Sequence, residues 1–118
     1  MSSVVSWNLR VSINAGQLEA FRTLMQEMVT STEAEAGTLS YEWFLSEDSG
    51  SCHINERYAD SDAVMEHLGS FGANFAERFL ACVAPTSIDV YGDPSDEVRA
   101  GLAGFGAVHH SPFGGFSR

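Results

Sequence analysis

Two side chains in this 118-residue sequence carry proton chemistry in unusual surroundings. His67 stands three residues after Val64, four before Phe71 and eight before Phe75, so helical spacing turns it inward with an apolar stripe. An imidazole placed there titrates near physiological pH and can take or give a proton. It can equally be a hydrogen-bonded core histidine with no part in a reaction. Glu56 shares a strand face with Ile54 and Tyr58, where an ionised acid is costly unless paired. It either pairs with an arginine, Arg10 or Arg78, or orients His67 as a carboxylate–imidazole couple. Asn8, on the side of its strand opposite Trp7, can hold a ligand oxygen but moves no proton; its other reading is a solvated amide.

Other chemistry is excluded. His53 lies on the opposite strand face from Glu56, and His109 and His110 point apart if extended, so neither makes a metal clamp. Gly104-Phe105-Gly106 lacks the strand–helix context of a nucleotide loop, and no nucleophile elbow or zinc spacing occurs. All six basic residues are arginines, which removes lysine chemistry. A formal charge of −10 argues against nucleic acid or an anionic membrane as partner. The longest uncharged stretch, 100–117, is too broken by glycine to span a bilayer. The start does not read as a signal peptide, and Cys52 and Cys82 are expected reduced, so a cytoplasmic location is expected.

The elements that must position these groups follow from periodicity. Residues 4–13 alternate, with Val5, Trp7, Leu9, Val11 and Ile13 on one side, which predicts a strand. Asn14 and Gln17 suggest a capping box for a helix carrying Leu18, Phe21, Leu24, Met25, Met28 and Thr32, closed by Gly37 as a left-handed C′ residue. Runs 39–46 and 51–58 flank a Glu47–Gly50 turn and predict a hairpin. Asp60 or Ser61 caps a second helix, which Gly69 and Gly72 kink or divide before Phe79 and Cys82. A strand over 86–91 follows Pro85, and a short helix capped by Ser95 leads into a Gly/Phe-rich tail. The order β-α-β-β-α-β over residues 4–92 is an α+β, ferredoxin-like arrangement with an antiparallel sheet; residues 93–118 are expected to pack on it or on a partner. Helices cover one sheet face only, and Phe44, Tyr91 and the tail phenylalanines leave apolar surface over, so a homodimer is expected.

Three segments carry a resemblance. Glu35-x-Gly37-x-x-x-Tyr41 is followed by Glu56-x-Tyr58-x-Asp60-x-x-Ala63-x-x-x-His67-x-x-Ser70. In motif and element order this resembles the antibiotic biosynthesis monooxygenase domain, and within it the small quinol-monooxygenase-like members, over about residues 4–92. The resemblance implies a dimeric α+β barrel and a pocket between helices and sheet. It also implies oxygenation of a small aromatic substrate by O2 with no metal, flavin or haem. His67 would then be base or orienting group, Glu56 the strand acid and Asn8 the first-strand amide, with Trp43, Tyr58, Phe71 and Phe75 as substrate-binding walls. Haem-degrading relatives need a histidine farther along the second helical region, and residues 74–84 contain none. The alternative within the same fold is a dimer that binds or senses a small aromatic ligand without turnover.

Overall fold

Alternation in the first strand decides the layering. In the computed structural model, which describes residues 2–118, β1 (Val5–Ile13) buries Val5, Trp7, Leu9 and Val11 under the helices and turns Ser6, Asn8, Arg10 and Ser12 the other way. The helix α1 (Leu18–Glu33) lays Phe21, Leu24, Met28 and Thr32 on that layer at helical spacing. β2 (Thr38–Leu45) and β3 (Ser51–Tyr58) form the hairpin, whose turn is fastened by Asp48 Oδ1 accepting from Ser46 Oγ (2.7 Å) and Gly50 N (2.9 Å). Asp60 caps α2 (Ser61–Asn74) by accepting from Ala63 N at 2.8 Å. Phe75 breaks the helical run, and α3 (Ala76–Cys82) leads directly into β4 (Val83–Tyr91). The sheet order is β2-β3-β1-β4, antiparallel throughout, with β5 (Val108–His110) added parallel to β4 at the edge. This is an α+β fold of ferredoxin-like order, with the core between helices and one sheet face.

Several local expectations are corrected. The Asn14–Gln17 capping box does not form: the Asn14 amide donates instead to the Ala81 carbonyl (3.2 Å), and α1 starts without a side-chain cap. Gly37 is not a left-handed cap, for its φ is not positive. A Cβ at Gly37 would lie 2.5 Å from that of Ala63, so the missing side chain is what lets the α1–β2 connection meet α2. The fourth strand begins at Val83 rather than Thr86. Pro85 is accommodated because the register with β1 slips between Arg10 and Val11, and a bulge tolerates a residue without an N–H. The tail contains more order than glycine content suggests. After α4 (Asp96–Leu102), whose Ser95 cap accepts from Val98 N at 3.2 Å, come a 3-10 turn (Ala103–Phe105) and β5.

Candidate active site

The site starts from register. On the helix-covered face, Trp7 of β1 and Tyr41 of β2 stand directly across from Glu56 of β3, so the acid is placed mid-sheet between two aromatic neighbours. Ile54 and Tyr58 flank it along the strand on the same face, both buried. Above it, the Asp60 cap sets the phase of α2 so that Val64 and His67 point down into the core. Ala63, one turn before His67, is the residue against which Gly37 packs. The same close approach brings Glu35, two residues before Gly37, over the imidazole.

The result is an imidazole clamped between two carboxylates. His67 Nδ1 lies 3.0 Å from Glu35 Oε1, and its Nε2 lies 3.3 Å from Glu56 Oε1. His67 and Glu56 are each only 6% exposed. Thr38 Oγ1 donates to the same Glu35 oxygen (2.9 Å), and Tyr58 OH donates to the same Glu56 oxygen (2.6 Å). The second oxygens of both acids take part in none of these contacts. Tyr41 and Tyr58 pack against the imidazole with ring centroids 5.3 and 5.2 Å away.

Electrostatics follows from this arrangement. Burial alone would push the His67 pKa down, but hydrogen bonding to Glu56 and the charges of Glu56 and Glu35 outweigh it, and the net shift is upward. Burial, reinforced by the Glu56 charge, raises Tyr41 and Tyr58 far above an ordinary phenol, so both stay protonated donors. Cys52, on the same sheet face, is pushed up to about 11 by burial and is a packed, unreactive thiol.

Glu56 and His67 border a small hollow of about 40 Å³. Its other walls are apolar: Trp7, Leu9 and Ile88 from the sheet, Leu68 and Phe71 from α2, and Leu102 and Phe105 from the C-terminal segment, with Tyr41 beside Glu56.

Of the residues singled out in the sequence, His67 and Glu56 converge within hydrogen-bond reach, and Phe71 is a wall. The arginine pairing open to Glu56 is not used, since Arg10 bonds Asn8 (2.9 Å) and Arg78 clasps Glu27 (2.6 and 3.0 Å). Asn8 does not reach the site. It lies on the far sheet face, where its amide donates to Asn55 Oδ1. Tyr58 sits fully buried as a donor to Glu56 and does not line the hollow. Trp43, two residues nearer the hairpin turn, borders a separate cavity of about 160 Å³ with Leu18, Phe21 and Met25. Phe75 resets the helical phase at the α2–α3 break and lies against the outer side of α1, beside Thr23 and Gln26. Glu35 is part of the motif that carries the resemblance but is not singled out there as a site residue; its place over His67 follows only once Gly37 is known to touch Ala63. Among the described residues no cluster of three metal-ligating side chains occurs, and no helix is long and apolar enough to cross a membrane.

Residues 5–85 match the family model for antibiotic biosynthesis monooxygenases. The chain belongs to that family. Its relatives include Rv0793 of Mycobacterium tuberculosis, a protein whose own monooxygenase assignment is provisional. The two are 37% identical over 105 residues, spanning 85% of this chain and all of Rv0793. Among solved structures, MupZ from Pseudomonas fluorescens superposes with a TM-score of 0.88 at 23% identity, covering 100% of this chain and 91% of MupZ. The cofactor-independent oxygenase SnoaB from Streptomyces nogalater gives 0.68 at 14% identity, covering 80% of this chain and 96% of SnoaB. These two likenesses concern the fold.

Proposed function

We propose that this family member is a cofactor-independent monooxygenase that oxidises a small aromatic hydroxy compound, a quinol or polycyclic phenol, with O2. One observation carries the reading: a buried imidazole held by two carboxylates, one of which borders an apolar hollow. An electron-rich phenol supplies its own electrons once deprotonated, so the protein needs a dry wall and a place for one proton.

Magnitudes assign the roles. A phenol near pKa 10 and an isolated glutamate near 4.3 differ by roughly 6 units, about 8 kcal/mol against transfer. Imidazole starts at about 6.5 and is raised here, which narrows the gap. Glu56 is therefore the contact and His67 the sink. In the neutral form, Nδ1–H donates to Glu35 and the Nε2 lone pair faces the Glu56 carboxylate, a repulsive contact. A proton arriving from the substrate through Glu56 relieves it by making Nε2–H. Glu35 positions the ring. The deprotonated substrate passes electrons to O2, and a C–O bond forms to give a peroxide anion, which takes the proton back from His67 to become a hydroperoxide. Its O–O bond then breaks as the same carbon loses its hydrogen. The product has lost two hydrogens and gained one oxygen atom, and the other oxygen leaves as water.

Oxygen uptake with a quinol panel on chelator-treated protein tests this. His67→Gln should lower kcat/KM by about 10²–10⁴-fold, the usual worth of a general base. The wild-type rate should climb with pH as His67 loses its proton. Equal rates for both proteins would remove the proposed base. The aromatic walls Trp7, Phe71 and Phe105 fit a second reading equally, a dimer that binds a small aromatic ligand without turnover. Ligand binding without oxygen consumption would select it.

We also propose that residues 4–92 form the domain proper, with 93–118 an extension, and that two copies pair through the far sheet face. Phe44 and Tyr91 stand exposed on that face, and Phe113 and Phe116 are exposed in the extension. A cytoplasmic location belongs to the same proposal, supported by two free, buried cysteines.

A further inference from the structure

The hollow beside Glu56 and His67, about 40 Å³, is too small for the substrate class proposed above. An engineered apolar cavity of about 150 Å³ is what holds a single benzene ring. Some wall must therefore yield, and the walls differ in what holds them. Trp7 and Leu9 are paired on both sides in β1, and Ile88 of β4 is paired with Leu9, so moving them disrupts paired backbone. Phe71 is within the hydrogen-bonded run of α2.

The C-terminal segment is held differently. It is anchored at its start, where Ser95 N donates to Ser61 Oγ (3.0 Å), and at its end, where Gly92 N donates to the His110 carbonyl (3.1 Å). Within α4, Val98 and Leu102 are fully buried, and Gly101 allows close packing on α2: a Cβ there would lie 3.1 Å from Leu68 Cδ1. Leu102 is thus a fixed floor. Phe105 lies past that floor, in the 3-10 turn, between Gly104 and a left-handed Gly106 (φ 74°). The turn is a single short 3-10 stretch, closed at its end by Gly106 N donating to the Ala103 carbonyl (3.0 Å). The Phe105 ring packs on Phe71 with centroids 6.4 Å apart and keeps part of its surface in solvent. It is the aromatic wall that can leave without breaking an α-helix or a strand.

We propose that Phe105 is the gate and size filter of the His67 pocket, its phenyl ring standing where an aromatic ring of the substrate will lie. The proposal rests on the aromatic-substrate reading and places its selectivity outside the matched domain, which ends at residue 85. A substrate ring enters by displacing Phe105, stacks on Phe71 and brings its hydroxyl to Glu56. Rings too large for the space between Phe71 and Leu102 are rejected.

Calorimetric binding of 1-naphthol, a bicyclic phenol, tests this without any turnover. Phe105→Ala vacates the place and should bind at least tenfold tighter than wild type. Phe105→Trp fills it further and should bind at least tenfold weaker. Circular dichroism would show that both variants are folded, and the two opposite signs protect the result against a general loosening. Affinities within twofold of wild type in both variants, or weaker binding by Phe105→Ala, would overturn the gate. Oxygen uptake is a separate readout. Opposite affinity shifts with no oxygen consumption by any phenol would retain the gate and retire the oxygenase.

Discussion

The two faces of the sheet use the same strands and opposite chemistry. Toward the helices, Glu56 sits among Trp7, Tyr41, Ile54 and Tyr58, and its carboxylate is met by His67 and the Tyr58 hydroxyl. One residue away, Asn55 faces outward, pairing with Asn8, which in turn accepts from Arg10; beside them Asp89 meets His110 at 2.9 Å. Both faces pair an acid with a histidine, Glu56 with His67 and Asp89 with His110. The outer groups keep partial contact with water, so their bonds are replaceable. The inner groups have given water up and depend on one another. A buried ionic cluster is weak support for stability and, beside a hollow, a stronger pointer to chemistry.

The comparison breaks most visibly at His67. His67→Ala leaves Glu35 and Glu56 buried without their shared partner and should cost about 3–5 kcal/mol in urea unfolding, as removal of one member of a buried pair does. Asn8→Ala, on the outer face, should cost no more than about 1.5 kcal/mol. Equal losses would mean the two faces do not differ in the way their burial indicates.

A smaller effect sharpens the same contrast through pH. The folded pKa of His67 is raised above its unfolded value near 6.5. Its contribution is therefore complete below about 6.5 and lost as pH climbs through the folded pKa. Wild type should lose stability between the unfolded and the folded pKa, and His67→Gln should show a flatter profile. Tyr41 and Tyr58 enter only above about 10, where unfolded tyrosine ionises while burial keeps both protonated in the fold. Stability and the proposed activity thus run in opposite directions with pH, because the proton that satisfies the clamp is the one the reaction must find absent. Identical slopes in the two proteins would assign the pH dependence elsewhere.

The smallest expected effect on the fold itself is at Phe44. Phe44→Glu places a charge on the outer face and should halve the sedimenting mass while leaving the monomer's core intact. A wild-type mass of one chain would remove the proposed dimer.

Much of this architecture is legible in local chemistry. Alternation in β1, the Glu47–Gly50 turn, the Asp60 and Ser95 caps and the inward phase of His67 each depend on a few neighbouring residues. What escapes is whatever depends on cross-strand register or on tertiary approach. Trp7 and Tyr41 join the site because they stand opposite Glu56, a relation no single strand records. Glu35 joins it because Gly37 touches Ala63, and glycine at a helix end has a commoner local meaning, which here misleads. Trp43 and Phe75 look like walls by type. They fail by position, one toward the hairpin turn and one at a helical break.

The carboxylate–imidazole–carboxylate clamp also acts as a cross-brace. It ties the chain after α1 to β3 and to α2, a span secreted domains often close with a disulfide. Here Cys52 and Cys82 are free, so the brace is made of protons rather than sulfur. Reductants have nothing to open in this fold. A rise in pH does, because it removes the proton His67 holds between the two carboxylates.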